Sequence, residues 1–309
     1  MNPRSPDVSV VIATRDRARH LQETLDSLSR VQVPEGVEAE VVLVDNGSTD
    51  ETSQVMRRFS PAQFQVQLLA EAKPGKSVAL NAALRRTESE VVLFTDDDVR
   101  LPPDWIEQMA MPVLEGRADA LVGGVKIARH LLRPWMSPVH RSLLASTEMI
   151  DPERPTRLVG ANMCIRRSCV ESVGYFDEEL GPGRLGLAEE TLMTRQLYKA
   201  GYTVATNFEC VVEHHFDESR LRRDAQLGLA RRIGASEGYI AYHWHHSSSK
   251  RWSLVARGYW TTFKLAFFRW RPGKQINGTD GLSLEELELV RSSSRIRQQL
   301  LERRRARKY

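Results

Sequence analysis

Three consecutive carboxylates, Asp96, Asp97 and Asp98, follow the apolar run Val91-Val-Leu-Phe94 after the single residue Thr95. Like charges this close repel each other, so a compact chain needs a cation or strong donors to hold them. Oxygen ligands of this kind suit Mg²⁺ or Mn²⁺, with phosphate oxygens completing the shell. Alone, the triplet also reads as a solvated acidic turn; its place at a strand end, beside other polar strand ends, favours the cation. A second pair, Glu189-Glu190, stands at the start of a helix-like segment and offers a general base, whose pKa burial or a neighbouring charge can tune. Complementarity to the helix dipole explains the same placement, and on spacing alone it is the stronger explanation. His214-His215 follows Val211-Val212. One imidazole suits a divalent ion, but taken alone an ordinary hydrogen-bonded histidine pair is the stronger reading. Lys76, in Pro74-Gly-Lys-Ser77, offers a cation to a phosphate, but the full Gly-x-x-x-x-Gly-Lys-Ser/Thr loop is absent.

The elements that must position these groups are legible from hydrophobic patterning. Val8–Ala13, Glu40–Val44 and Val91–Phe94 are short runs rich in β-branched residues, the signature of buried strands. Leu21, Leu25 and Leu28 line one face of a helix after Thr14-Arg-Asp-Arg17. Further helices are expected through Val55 and Phe59 and over Ser77–Arg86, with a strand near Phe64–Leu69. Strands alternating with helices give an α/β fold with a largely parallel sheet. Ligands of such sheets bind beyond the carboxyl ends of the strands. Thr14, Asp45 with Asn46, and Asp96–Asp98 fall at three such ends, and so point at one crevice. Residues 125–157 read as irregular, and Gly181-Pro-Gly-Arg-Leu-Gly186 precedes the glutamate pair.

Length and composition narrow the function classes. The chain has 309 residues, 41% hydrophobic and 27% charged, enough for a sizeable core and too apolar for global disorder. A net charge of +4 is too even for nucleic-acid binding over the whole surface. Cys164, Cys169 and Cys210 form no C-x-x-C pair, so no disulfide framework or zinc ribbon is expected. Residues 1–7 lack a signal-peptide pattern, and no run approaches the roughly 18 apolar residues of a spanning helix. A cytoplasmic location is the expectation.

The series Val10-Val-Ile-Ala-Thr14, Val44-Asp-Asn-Gly-Ser-Thr-Asp50, Gly75-Lys-Ser-Val-Ala-Leu-Asn81 and Phe94-Thr-Asp-Asp-Asp98 resembles family 2 glycosyltransferases in order and spacing. Gly160-Ala-Asn-Met163, Val173-Gly-Tyr-Phe-Asp-Glu178, Glu189-Glu190 and His214 continue the pattern, which covers residues 7–220. The resemblance implies a GT-A, Rossmann-like domain and an inverting, metal-dependent transfer of a sugar from a UDP-, GDP- or dTDP-linked donor. It puts Thr14 and Asp45 at the nucleoside, with Asn46, Lys76, Asp96 and Asp97 also in the donor site and Asp96 near the ribose. Asp98 and His214 would hold Mn²⁺ or Mg²⁺ on the diphosphate. Glu190, in the second position of the family's Glu-Asp pair, is the candidate base. Because the pair is Glu-Glu here, Glu189 stays a rival. The Gln-x-x-Arg-Trp motif of processive synthases is missing, which favours single additions. Rival readings are a soluble transferase acting on a small molecule or protein, and a non-catalytic sugar-nucleotide-binding or scaffolding subunit.

The expected division is a catalytic domain over 1–235 and a helical extension over 236–309. At ~100° per residue, Trp252, Val255, Tyr259, Trp260, Phe263, Ala266, Phe267 and Trp270 of the segment 250–271 fall within an arc of about 140°. Lys250, Arg251, Arg257, Lys264, Arg269 and Arg271 fall outside it. An aromatic face with a cationic back is the pattern of a helix in a membrane interface, and equally of one docked by that face on the catalytic domain or a second subunit. Phe268, Leu254 and Leu265 lie on the polar side and ask for burial of their own. Ser283-Leu-Glu-Glu286 reads as a capping box. The basic end Glu302-Arg-Arg-Arg-Ala-Arg-Lys308 reads either as attraction to anionic lipid or as a frayed, solvated tail. The partners implied are a glycan or lipid-linked acceptor, the inner face of a cell membrane, and a possible homodimer; nucleic acid is not among them.

Overall fold

The computed structural model describes residues 5–270 and 282–309. Met1–Arg4, part of the segment read for a signal peptide, and Arg271 of the amphipathic segment lie outside them. The chain divides into two compact units. The first comprises Met1–Leu132, Pro138–Glu178 and Glu189–Phe216; the second comprises Arg133–Ser137, Glu179–Ala188 and Asp217–Tyr309.

The first unit is built on one eight-stranded sheet. In chain order its elements are β1 (Val8–Thr14), α1 (Ala18–Leu28), β2 (Ala39–Asp45), α2 (Thr52–Arg58), β3 (Gln65–Ala70), α3 (Lys76–Arg86), β4 (Val91–Thr95), β5 (Val99–Arg100), α4 (Trp105–Leu114), β6 (Ala120–Ile127), α5 (Pro138–Leu143), β7 (Met163–Arg166), α6 (Arg167–Val173), α7 (Glu189–Lys199) and β8 (Val204–His214). The strand order is β3-β2-β1-β4-β7-β6-β8-β5. β1, β2, β3 and β4 run parallel, as does β6 with β8; β7 is antiparallel to both its neighbours, and β5 to β8. The α/β expectation holds. β6 and β7 went unread in the sequence, because each joins the sheet through partners distant along the chain.

The parallel strands end in register where their apolar runs end. Thr14 pairs with Asp45, and Ile12 with Thr95, so the polar residues that close β1, β2 and β4 lie side by side. β1, β2 and β4 are buried along almost their whole length, as strands covered on both faces must be. Helix α1 buries Leu21, Leu25 and Leu28, each burial stabilising by about 1.5–3 kcal/mol. The edge strand β3 alternates, and leaves Leu68 exposed.

A buried amide closes the far half of the sheet. Asn162 accepts from Trp105 Nε1 at 2.8 Å and donates to the carbonyls of Gly124 at 3.0 Å and Cys210 at 2.9 Å. This bridges α4, β6 and β8 at the register shift between Gly123 and Gly124. A Cβ on Gly123 would stand 2.1 Å from Asn162 Nδ2, so only glycine fits there. The three cysteines are buried thiols.

The second unit carries three long helices, α8 (Arg223–His243), α9 (Arg251–Trp270) and α10 (Leu284–Glu302). α8 runs unbroken through residue 235, so a boundary between 235 and 236 would cut a helix; the compact units change over at 216 instead. Gly234 and Gly238 of α8 lie against the backbone of α10, where a Cβ would meet Arg291 O at 2.1 Å and Arg295 O at 2.5 Å. The capping box does not form: Ser283 makes no side-chain cap, and Glu286 is wholly buried between Arg223 and Arg269. One carboxylate thus ties α8, α9 and α10 together, a stronger use for it than capping.

Candidate functional site

The site lies at the carboxyl ends of β1, β2 and β4, entirely within the first unit. Thr14 Oγ1 donates to Asp97 Oδ2 at 2.7 Å, joining the ends of β1 and β4. Asp45, at the end of β2, accepts from Ser48 N at 2.8 Å and from the Ser53 hydroxyl. Burial pushes its pKa up, but these hydrogen bonds outweigh it and leave the carboxyl below the ordinary aspartate range, an ionised acceptor at the crevice edge. Asn46 stands next to it but is fully engaged with the backbone. Its Nδ2 donates to the carbonyls of Glu71 at 3.0 Å and Lys73 at 2.9 Å, and its Oδ1 accepts from Gly75 N at 2.8 Å. The side chain therefore holds the 71–75 loop and is not free for a nucleotide, a correction to the sequence expectation. What it positions is Lys76, the first residue of α3.

The three aspartates are each met by a cation or a donor. Lys76 Nζ lies 2.5 Å from Asp96 Oδ1 and 3.7 Å from Glu190 Oε1. Burial works against the ammonium, but Asp96, Glu190 and Glu189 outweigh it and hold its pKa above the ordinary lysine value. Arg17 Nη1 lies 2.9 Å from Asp98 Oδ2, with Nε 3.9 Å from Asp97 Oδ1. Burial and the Asp98 charge still push the Asp97 carboxyl up to about 7. The sequence reading quoted Arg17 in Thr14-Arg-Asp-Arg17 without giving it a part; 81 residues separate it from its partner, and nothing local signals the pairing.

Asp98 and His214 meet because the two-residue strand β5, directly after the triplet, pairs Val99 with His214 at the end of β8. His215 N donates to Asp98 O at 2.6 Å and fixes the register. His214 Nε2 lies 3.2 Å from Asp98 Oδ1, and both side chains are under 5% exposed. His214 Nδ1 lies 2.9 Å from Leu144 O, which is an acceptor only. That contact places a ring proton on Nδ1 and leaves Nε2 as the atom that faces the carboxylate. Neighbouring ligands of an octahedral ion with bonds of about 2.1 Å lie about 3 Å apart. The pair therefore fits a divalent ion in both donor chemistry and spacing. Among the described residues no third protein ligand joins them, which suits an ion that takes its remaining ligands from phosphate and water.

The glutamate pair opens α7 from two different environments. Glu189 is buried, and its Oε2 has no hydrogen-bond partner. Burial and the adjacent Glu190 charge raise its pKa well above the ordinary glutamate value. Glu190 keeps 16% side-chain exposure and faces Lys76. Gly160 lies against this pair: a Cβ there would stand 2.5 Å from Glu190 Oε1 and 2.8 Å from Lys76 Nζ. Arg157, which the sequence left in the irregular stretch, is half-buried near Glu190 and donates to Ser142 O and Oγ. Two other motif segments serve the frame, since Asn81 exchanges hydrogen bonds with the Phe176 backbone at 2.8 and 3.0 Å.

Comparison with known proteins identifies the family and the fold. A family model described as glycosyl transferase family 2 matches residues 9–174, more than half the chain. Glycosyltransferase AglE of Haloferax volcanii is 27% identical over 202 residues, 64% of this chain and 64% of that protein. The chain spans less of some other curated relatives, 32% in the case of the poly(ribitol-phosphate) beta-N-acetylglucosaminyltransferase TarS of Staphylococcus aureus. Among solved structures, the mannosyltransferase PcManGT from Pyrobaculum calidifontis, in complex with GDP-Man and Mn²⁺, superposes with a TM-score of 0.64 at 17% identity, covering 97% of this chain and 88% of that one. S. aureus TarS 1–349 in complex with UDP-GlcNAc gives a TM-score of 0.54 at 20% identity, over 98% and 93% of the two chains. The fold is the GT-A fold.

Proposed function

The chain belongs to glycosyl transferase family 2, and from that premise we propose that this glycosyltransferase is inverting and metal-dependent, moving a sugar from a nucleoside-diphosphate donor to a hydroxyl of a glycan or lipid-linked acceptor in cell-surface polysaccharide assembly. The observation that carries the reading is the facing of His214 Nε2 and Asp98 Oδ1 at 3.2 Å, two buried side chains with the other ring nitrogen engaged by Leu144 O. Neighbours of the same fold bind GDP-Man with Mn²⁺ and UDP-GlcNAc, and UDP- and GDP-linked sugars are the first donors to consider here.

Each residue has a part in this reading. Asp45 accepts from the base edge, with Thr14 beside it, and Asp96 meets the ribose. A divalent ion held by Asp98 and His214 would act as a Lewis acid on the leaving diphosphate. Lys76 lies between Asp96 and Glu190 and orients the Glu190 carboxylate that accepts the acceptor's hydroxyl proton. The deprotonated oxygen attacks the anomeric carbon from the face opposite the diphosphate, so one base suffices and the configuration inverts. Glu189, buried and with its pKa raised, holds a proton more tightly than an ordinary glutamate and is the less suited of the two to take one from the acceptor. Among the described residues no helix is long and apolar enough to cross a membrane, and a lipid-linked acceptor would be met from a peripheral position on the inner face.

Calorimetric titration with UDP-, GDP- and dTDP-linked sugars, with and without Mn²⁺, tests the reading. It predicts one donor class bound only with the ion, and binding abolished in Asp98→Ala. Equal binding with and without Mn²⁺ would overturn it.

A further inference from the structure

Helix α9 is packed by the face that its aromatic pattern does not mark. Leu254 and Phe268 are buried, and Gly258 would place a Cβ 3.4 Å from Ile296 of α10. On a helical wheel these three lie opposite the aromatic stripe. Trp252, Tyr259, Trp260, Phe263 and Trp270 are 59–77% exposed. Docking of the aromatic face is thus not what holds the helix in its unit. The rings form a ladder, Trp260 to Phe263 at 5.7 Å and Phe263 to Phe267 at 6.3 Å, with Lys264 Nζ 5.4 Å from the Trp260 ring centre. Arg251, Arg257, Lys264 and Arg269 border the stripe, and α9 contains no acidic residue.

The basic tail adjoins this stripe and is ordered, not frayed. Lys308 N donates to His243 Nδ1 at 3.2 Å, Tyr242 donates to Arg305 O at 3.0 Å, and Tyr309 stacks on Trp244 at 4.0 Å. The fold-back forms a cleft of about 720 Å³ lined by Arg251, Arg303, Arg304, Arg305 and Arg307, with Val255 of the stripe in its wall. No acidic side chain lines it. Among the described residues, Arg251 and Arg304 meet no carboxylate. Arg305 pairs with Glu302 at 3.5 Å, and the remaining guanidiniums leave the cleft strongly cationic, a setting for an anion with several acceptor oxygens.

We propose that α9 and the arginine cleft form one docking surface for a membrane carrying anionic phospholipid, the aromatic rings entering the headgroup–acyl boundary and the cleft seating a lipid phosphate. Charge complementarity selects this occupant. Trp and Tyr suit an interface that is apolar on one side and wet on the other, and a cationic border suits an anionic leaflet. A second copy of the chain would instead bring a like-charged border against this one. The proposal deepens the peripheral-membrane reading above and rests on no property of the donor site.

The test is flotation of the full chain with vesicles of phosphatidylcholine alone and of phosphatidylcholine mixed with phosphatidylglycerol, at low and high salt. One variant carries Trp260→Ser, Phe263→Ser and Phe267→Ser; the other carries Arg251→Gln and Arg304→Gln. Wild type is expected to float with the mixed vesicles and to be released by salt. The aromatic variant should lose roughly tenfold or more in partitioning. The arginine variant should lose about fivefold per residue, and with it the preference for anionic vesicles. All five positions are exposed, so thermal midpoints should not move. Wild type failing to float with mixed vesicles at low salt, or the aromatic variant floating as wild type does, would overturn the proposal. So would a dimer in sedimentation that the aromatic variant converts to monomer, since the occupant would then be a second copy. Donor calorimetry on the same preparations separates failure of this surface from failure of the sugar-transfer reading.

Discussion

Arg17 occupies the place of a cation at Asp98, and replacing it with methionine should show this in two linked ways. At the observed 2.9 Å and an effective dielectric of about 20, the two unit charges attract by about 6 kcal/mol. The guanidinium has already lost much of its hydration, which offsets a good part of that attraction, and breaking a buried pair costs about 3–5 kcal/mol. Arg17 retains 28% side-chain exposure, so solvent screening brings the expected loss to about 2–3 kcal/mol. For a unit of this size the loss lowers the metal-free thermal midpoint by about 5–10 °C. Asp98 and Asp97 would then lack their cation, and added Mn²⁺ would replace it. The deficit should therefore shrink with Mn²⁺ in scanning fluorimetry, and calorimetry without donor should show Mn²⁺ bound roughly tenfold more tightly than by wild type. A midpoint deficit that is the same with and without Mn²⁺, together with unchanged or weaker Mn²⁺ affinity, would refute the reasoning.

The glutamate pair should separate cleanly. Glu190→Gln is expected to lower kcat by roughly 10²–10⁴-fold with donor affinity retained, the loss of a general base, read by single-turnover transfer. Glu189→Gln should keep most activity and change the pH dependence of stability. A carboxyl with a raised folded pKa binds its proton more tightly in the folded state, so its effect on stability is most favourable below the ordinary value and is lost as pH rises above about 4.5. Thermal midpoints taken from acid to neutral pH should fall less steeply in Glu189→Gln than in wild type. Gly160→Ala would force Glu190 and Lys76 apart from a Cβ 2.5 Å from the carboxylate; kcat should drop roughly a hundredfold with the midpoint within a few degrees of wild type. Gly123→Ala meets the Asn162 amide at 2.1 Å where that amide is held by three hydrogen bonds, and should cost about 2–4 kcal/mol in denaturant unfolding.

What the sequence made legible is what depends on local pattern. β-branched runs ending in Thr14, Asp45 and Thr95 were readable as strands, and parallel register then brings those ends together with no further information. Arg17 was hidden because its partner is far along the chain, and Asn46 because an amide at a strand end can face a ligand or a loop equally well. α9 was legible in part, since Leu254 and Phe268 are buried as their place on the polar side asked, while the use of its aromatic face stayed open. Both of its faces carry large apolar side chains, and periodicity measures how strongly sides differ, not which one is packed; the smaller set, Leu254, Gly258 and Phe268, lies towards α10. Glu286 stands at the capping-box spacing, yet tertiary ion pairs with Arg223 and Arg269 outcompete a local hydrogen bond once three helices converge on it.

The central claim is that Asp98 and His214 together hold the divalent ion of a sugar-transfer site. Pulsed electron paramagnetic resonance of Mn²⁺ bound with a nucleoside diphosphate addresses it directly, because imidazole nitrogen coupled to the ion leaves its own modulation. The account predicts a nitrogen coupling in wild type, its loss in His214→Ala with Mn²⁺ still bound through Asp98 and phosphate, and loss of bound Mn²⁺ in Asp98→Ala. Mn²⁺ bound to wild type without nitrogen coupling, or bound undiminished by Asp98→Ala, would contradict it.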